Sequence, residues 1–205
     1  MKKILAIVAL VAIVAFGAFA SSTVTVGAGG VGYFDSSVYL LGPAVKLFTT
    51  SGNTFNDLTV ESPMWVKNID SFDDVSEVIH IDIHDADIKF LQLIRASETF
   101  GLALNLLGDS GPVTLTAGVG GNVSMDGLFI DAKNRLLEFR AGAGAVVDLG
   151  IAIARPLAVV VGVSANYPLF GLKVITENGS TSTDSYSIKD AHFETAAHVG
   201  IGLSF

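Results

Sequence analysis

Three groups of residues in this 205-residue chain are of types that do chemistry. His80-x-Asp82-x-His84 sets imidazole, carboxylate and imidazole on alternate positions, which a strand would turn to one face, with Asp85 and Asp87 close by. Imidazole and carboxylate suit zinc, but such residues also face water without any metal, so His80, Asp82 and His84 are candidates with no marked metal signature. The second group is charged. Glu138, Arg140, Asp148, His192, Glu194 and His198 sit on the polar positions of two alternating stretches, where they would pair and re-pair as a gate or neutralise one another as a plug.

The third group is Gly27-x-Gly29-x-x-Gly32, formally a dinucleotide-binding fingerprint. That fingerprint should open a helix, whereas Tyr33-Phe34-Asp35-Ser36-Ser37 reads as a turn. Glycine here is better explained by close approach of neighbouring chain segments. His198 and Ser204 share a strand but lie about 20 Å apart at ~3.4 Å per residue, so they form no catalytic dyad. The acidic run Asp70, Asp73, Asp74 and Glu77 lacks the spacing of a calcium loop. No enzyme activity and no cofactor are expected.

The elements that must position these side chains are strands. From Ser22 to Phe34, Val24, Val26 and Ala28 alternate with Thr23, Thr25, Gly27 and Gly29. Val38 to Phe48 and Asn56 to Lys67 are strands or loops, because each carries a proline, Pro43 and Pro63. Ile79, Ile81 and Ile83 alternate through Val78 to His84, and Asp85 to Ala96 reads as strand or short helix. Clear alternation follows in Glu98 to Leu107, Pro112 to Asp126, Leu137 to Ile153, Leu157 to Val174, and His192 to Phe205. Gly108–Gly111 and Ala154–Pro156 are short turns; Phe129–Leu136 and the Ser/Thr-rich Glu177–Asp190 read as longer polar loops.

The chain opens with Met1-Lys2-Lys3, an apolar run from Ile4 to Phe16, and Ala18-Phe19-Ala20. Residues 1–20 are therefore expected to be a cleavable secretory signal peptide, leaving 21–205 as one domain. Cysteine is absent, which excludes a lipoprotein, disulfides and a thiolate nucleophile. A net charge of -8 with 12 Lys and Arg argues against nucleic acid as a partner. Half the residues are hydrophobic, yet past residue 20 no run is long enough for a spanning helix. A transmembrane β-barrel has that profile, because only alternate residues of each strand meet lipid.

The final strand carries a family likeness. Val199, Ile201, Leu203 and Phe205 alternate with small or polar residues and end in an aromatic. This resembles the last strand of the small bacterial outer-membrane β-barrel family represented by OmpX, OmpW and the barrel domain of OmpA. The resemblance implies that these four residues are read as an insertion signal by the barrel assembly machinery, and that outer-membrane lipid surrounds the strands. The fold class expected is all-β, a transmembrane antiparallel up-and-down barrel of about eight strands, ten if the isoleucine stretch forms its own hairpin. Alternation alone also fits a soluble periplasmic lipocalin-like binding barrel. The Gly, Ser, Thr and Asn of the polar face favour the crowded inside of a narrow barrel over a water-facing exterior. The functional expectation is a structural or surface-interaction role through the outer loops, with a possible surface ligand. A narrow channel for small or apolar solutes is the alternative.

Overall fold

The computed structural model describes residues 21–33, 39–67, 91–107, 111–154, 156–187 and 193–204. Within them the period-two stretches become ten segments: β1 (Ser21–Tyr33), β2 (Tyr39–Ser51), β3 (Thr54–Glu61), β4 (Trp65–Lys67), β5 (Leu93–Asn105), β6 (Val113–Phe129), β7 (Arg135–Ala154), β8 (Leu157–Glu177), β9 (Ser180–Ser187) and β10 (Glu194–Ser204). All pair antiparallel in a single sheet, and the order β1-β10-β8-β7-β6-β5-β3-β2 returns to β1. The sheet is a closed ring of eight strands. β4 continues β3 along β2, while β9 and β10 run successively along β8, so ten segments fill eight positions. Closure removes the unpaired edges that would otherwise invite association.

Following the paired residues from Gly27 through β10, β8 and β7 arrives at Thr114 on β6. Going the other way, through β2, β3 and β5, arrives at Asp126. The ring therefore closes with a stagger of 12 residues, the difference between those two positions. With ~3.3 Å per residue and ~4.8 Å between strands, that stagger tilts eight strands by about 45° and gives a backbone radius of about 9 Å. The interior is just wide enough to be filled from wall to wall by long side chains.

Both prolines lie at one defect. Pro43 accepts the Ser62 N–H through its carbonyl at 3.0 Å, and the Met64 N–H reaches the Leu41 carbonyl at 2.9 Å, across the break between β3 and β4. In an antiparallel strand a residue turns its donor and acceptor toward the same neighbour, so Pro43 places its missing donor opposite the break at Ser62-Pro63-Met64. A Cβ at Gly42 would collide with the Ser62 carbonyl, so glycine is needed there. The strands of this region therefore extend beyond the expected Val38–Phe48, and Asn56–Lys67 is divided in two.

Three turns follow backbone chemistry. Ser51 pairs with Thr54 around Gly52-Asn53, with Gly52 at φ 58°. Asn178 and Gly179, at φ 50° and 85°, make the two-residue turn from β8 to β9. The expected loop Glu177–Asp190 is thus a correction: Ser180–Ser187 is strand, because the turn folds it back onto β8 and its threonines suit a pleated surface. The β6–β7 connection shortens to residues 130–134.

Side chains sort cleanly by face. Val26, Leu102, Leu104, Val119, Val199 and Ile201 point outward, each more than half exposed. Lys46, Asp57, Arg95, Arg140, Asp148, Glu194 and His198 point inward and are buried. A β-bulge beside Ala141/Gly142 shifts the β8 register, so Leu169 and Phe170 are consecutive residues that are both exposed. The signal-peptide stretch, His80, Asp82 and His84, the acidic run, His192 and Phe205 lie outside the described residues.

Candidate functional site: a charged, layered lumen

Alternation on all eight strands of the ring aims polar side chains at one axis, where they stack in layers. The rim carrying Ser21 and Ser204 is called lower here, and the rim carrying the β6–β7 and β8–β9 turns upper. From below, a vestibule of about 410 Å³, lined by Thr23, Thr114, Thr116 and Val160, ends against Phe48 and Asp148. Phe48 stacks on Phe55 with ring centroids 6.1 Å apart, and Phe55 packs with Ala103 and Val146. This apolar layer closes the floor.

Above it Lys46 bridges two carboxylates. Its Nζ lies 2.8 Å from Asp57 Oδ2 and 2.7 Å from both oxygens of Asp148, with the Phe48 ring centroid 5.5 Å away. His198 Nε2 is 3.2 Å from Asp148 Oδ1. A Cβ at Gly162 would fall on both the His198 imidazole and the Asp148 carboxylate, so bare backbone at that position admits the contact.

The next layer lies four residues up β10, about 10 Å higher at the strand tilt. Arg95 and Arg140 each contact both Asp126 and Glu194: Arg95 reaches Asp126 Oδ1 and Glu194 Oε2 at 3.2 Å, and Arg140 bonds the other oxygen of each. Two cations and two anions alternate around a closed cycle. Asn122 braces the wall below it by donating to Ser97 Oγ at 3.0 Å and Thr99 Oγ1 at 2.9 Å. Glu138 and Lys173 stand opposite one another nearer the upper rim.

Glu138, Arg140, Asp148, Glu194 and His198 therefore share the lumen, divided between layers. Arg140 meets Glu194, and Asp148 meets His198. Sequence reasoning missed Lys46, Asp57, Glu61, Arg95 and Asp126 as members. Asp126 was legible as a polar-face position of β6; Lys46, Asp57 and Glu61 were obscured by the prolines, and Arg95 by the helix-or-strand ambiguity before Glu98. Among the described residues, no three His, Cys, Asp or Glu side chains converge as a metal site. The interior is charged and the exterior apolar, the reverse of a soluble barrel built around an apolar cavity.

One outward pair breaks the apolar exterior. Asn56 donates to Glu98 Oε1 at 2.6 Å, and Glu98 is flanked on its face by Phe100 along β5 and by Leu58 and Val123 on the neighbouring strands. Replacing both by leucine should leave stability unchanged or raise it by about 1–3 kcal/mol, whereas Asn56→Leu alone strips the carboxylate of its donor and should destabilise. Urea titrations of the lipid-refolded variants measure this; equal midpoints for the single and double variants would refute the apolar setting of Glu98.

At the upper rim two turns are tied together. Gly179 N–H donates to the Lys133 carbonyl at 3.1 Å, and Asn178 N–H to Asn134 Oδ1 at 3.0 Å. Asp131 accepts from the Lys133 and Asn134 backbone N–H groups and the Asn134 amide. The Lys133 backbone donor first, then the Asn134 side chain, hold the Asp131 carboxyl below the ordinary carboxylate range. The turn therefore keeps its bonds above that range and gives them up only as pH falls through the lowered value.

No protein-family model matches the sequence, and no curated protein matches it. Solved structures do. A major outer membrane protein from Thermus thermophilus is 12% identical, with TM-score 0.50, over 91% of this chain and 100% of that one. OprG from Pseudomonas aeruginosa is 9% identical, with TM-score 0.50, over 91% and 96%. Neisserial surface protein A is 10% identical, with TM-score 0.51, over 90% and 96%. A closed eight-stranded ring, apolar outside and ion-paired inside, and matched along almost its whole length by these structures, has the fold of the small outer-membrane β-barrel proteins.

Proposed function

We propose that this chain is an integral outer-membrane barrel with a plugged lumen, which works through the surface it presents at its upper rim. The observation that carries this reading is the inverted polarity: apolar side chains cover the outside, and the inside is filled by buried ion pairs. Such an arrangement suits lipid outside and excludes free water flow inside. On this reading residues 1–20 direct export, and the barrel assembly machinery recognises the terminal strand through Val199, Ile201, Leu203 and Phe205. The first three point outward on β10. The β8–β9 hairpin, braced on the β6–β7 turn, offers exposed Ser, Thr and Asp side chains to a polar ligand outside the cell.

The vestibule below Phe48 favours the second reading, a narrow channel whose lower half is already open. Single-channel recording in planar bilayers separates the two. The refolded protein should migrate faster on gels before boiling than after, and should show no stepwise current at neutral pH. Regular current steps would establish the channel and overturn the plug.

A further inference from the structure

The tip of the β8–β9 hairpin holds a pair of residues with a chemistry of its own. Of the eight asparagines in the chain, only Asn178 is followed by glycine. Glycine has no Cβ to crowd its backbone nitrogen, so that nitrogen can approach the preceding side-chain amide more closely than any other residue allows. Once it loses its proton to solvent base, Gly179 N attacks Asn178 Cγ, a C–N bond forms, and the side-chain nitrogen leaves as ammonia. Water then opens the resulting five-membered imide at either carbonyl. The products are aspartate, or isoaspartate with the main chain running through the former side chain. Both residues are exposed, so water and base reach them.

Two features of the turn oppose the first step. Asn178 has φ 50°, in the left-handed region, where ψ is about 47°. In an L-residue that ψ turns the following nitrogen to the side of the Cα–C bond opposite Cβ, so Cγ cannot reach Gly179 N. Closing the imide ring needs roughly half a rotation about that bond. The two-residue turn forbids it while Glu177 stays paired with Ser180. The second feature is the brace. Gly179 N–H donates to the Lys133 carbonyl at 3.1 Å, which keeps the proton on the attacking nitrogen. Asn178 N–H donates to Asn134 Oδ1 at 3.0 Å, and Asn134 Nδ2 is itself fixed on Asp131 Oδ2 at 2.9 Å. The reactive pair is therefore clamped from another hairpin.

We propose that Asn178 is a deamidation site of the outer surface, held unreacted by the left-handed turn and its brace and released whenever the hairpin tip opens. Each opening that ends in reaction leaves a permanent negative charge at the tip. Isoaspartate also lengthens the backbone by one methylene, so the two-residue turn cannot close again in its original form. The site stands whichever reading of the lumen holds, because it lies wholly in the rim turns.

The test is peptide mass spectrometry of the full chain after incubation in mildly alkaline buffer, once refolded in lipid and once unfolded in urea. Conversion of Asn178 to the acid, with isoaspartate among the products, should be at least about tenfold slower in the folded barrel. Asn134→Ala removes one bond of the brace and should speed the reaction in the folded barrel about fivefold, with no change in urea. That contrast separates a clamp on the turn from an effect on the peptide itself. Equal rates in lipid and in urea would overturn the proposal, as would an Asn178 that stays intact in the unfolded chain. A folded Asn134→Ala barrel that reacts no faster than the parent would overturn the role of the brace.

Discussion

Lys46→Met should cost about 3–5 kcal/mol of stability, or prevent refolding altogether, the effect of removing one partner from a buried charge cluster. Lys46 is only 2% exposed and is shared by Asp57 and Asp148, which approach it from opposite walls of the lumen. Methionine preserves the length of the stem and its packing against Phe48 but leaves two carboxylates facing each other above an apolar floor. The loss should be reversed largely by adding Asp57→Asn and Asp148→Asn, since the cost lies in the stranded charges and not in the missing lysine. Urea titration in lipid vesicles, read by the fraction of protein that resists SDS before boiling, measures all three backgrounds. A Lys46→Met barrel as stable as the parent would show that water reaches this layer freely and would undo the description of a closed lumen.

The second large effect concerns the outer wall. Val161→Arg and Ala145→Arg should each lose about 2–4 kcal/mol in lipid if they lie near the bilayer midplane, and less toward either interface. Both point outward in the middle of long strands, Val161 between Leu149 and Val199, Ala145 between Val119 and Ala165. Ser182→Arg on the exposed β9 hairpin is the control and should change little. Refolding of both wall variants with unaltered midpoints would mean that this face does not meet hydrocarbon.

The two expectations share a cause that reaches back to the sequence. Period-two alternation assigned faces correctly in Pro112–Asp126, Leu137–Ile153, Leu157–Leu169 and the final strand, because a strand turns neighbours to opposite sides wherever it lies; past Leu169 the bulge reverses the parity. It was weaker where a second signal interfered. Pro43 and Pro63 argued for loop, and only the break at Ser62–Met64 explains how two strands tolerate them. The Ser/Thr composition of 180–187 suggested a loop because composition carries no knowledge of the Asn178-Gly179 turn folding the segment back onto β8.

By itself, then, the sequence determined the class of the molecule: strands with one apolar and one polar face, in a number suited to a small closed barrel. Which charges meet was decided only by the tertiary structure. Lys46 and Asp148 are 102 residues apart, Arg95 and Glu194 99 apart, and each pair lies on strands that are not neighbours in the sheet. Alternation is a property of one strand, whereas a contact across the lumen depends on how the ring closes. The stagger of 12 residues sets the heights at which Lys46 meets Asp148 and Arg140 meets Glu194. A change in that stagger by two residues would leave every residue on its face and rearrange the partners, because strand pattern fixes direction while closure fixes height.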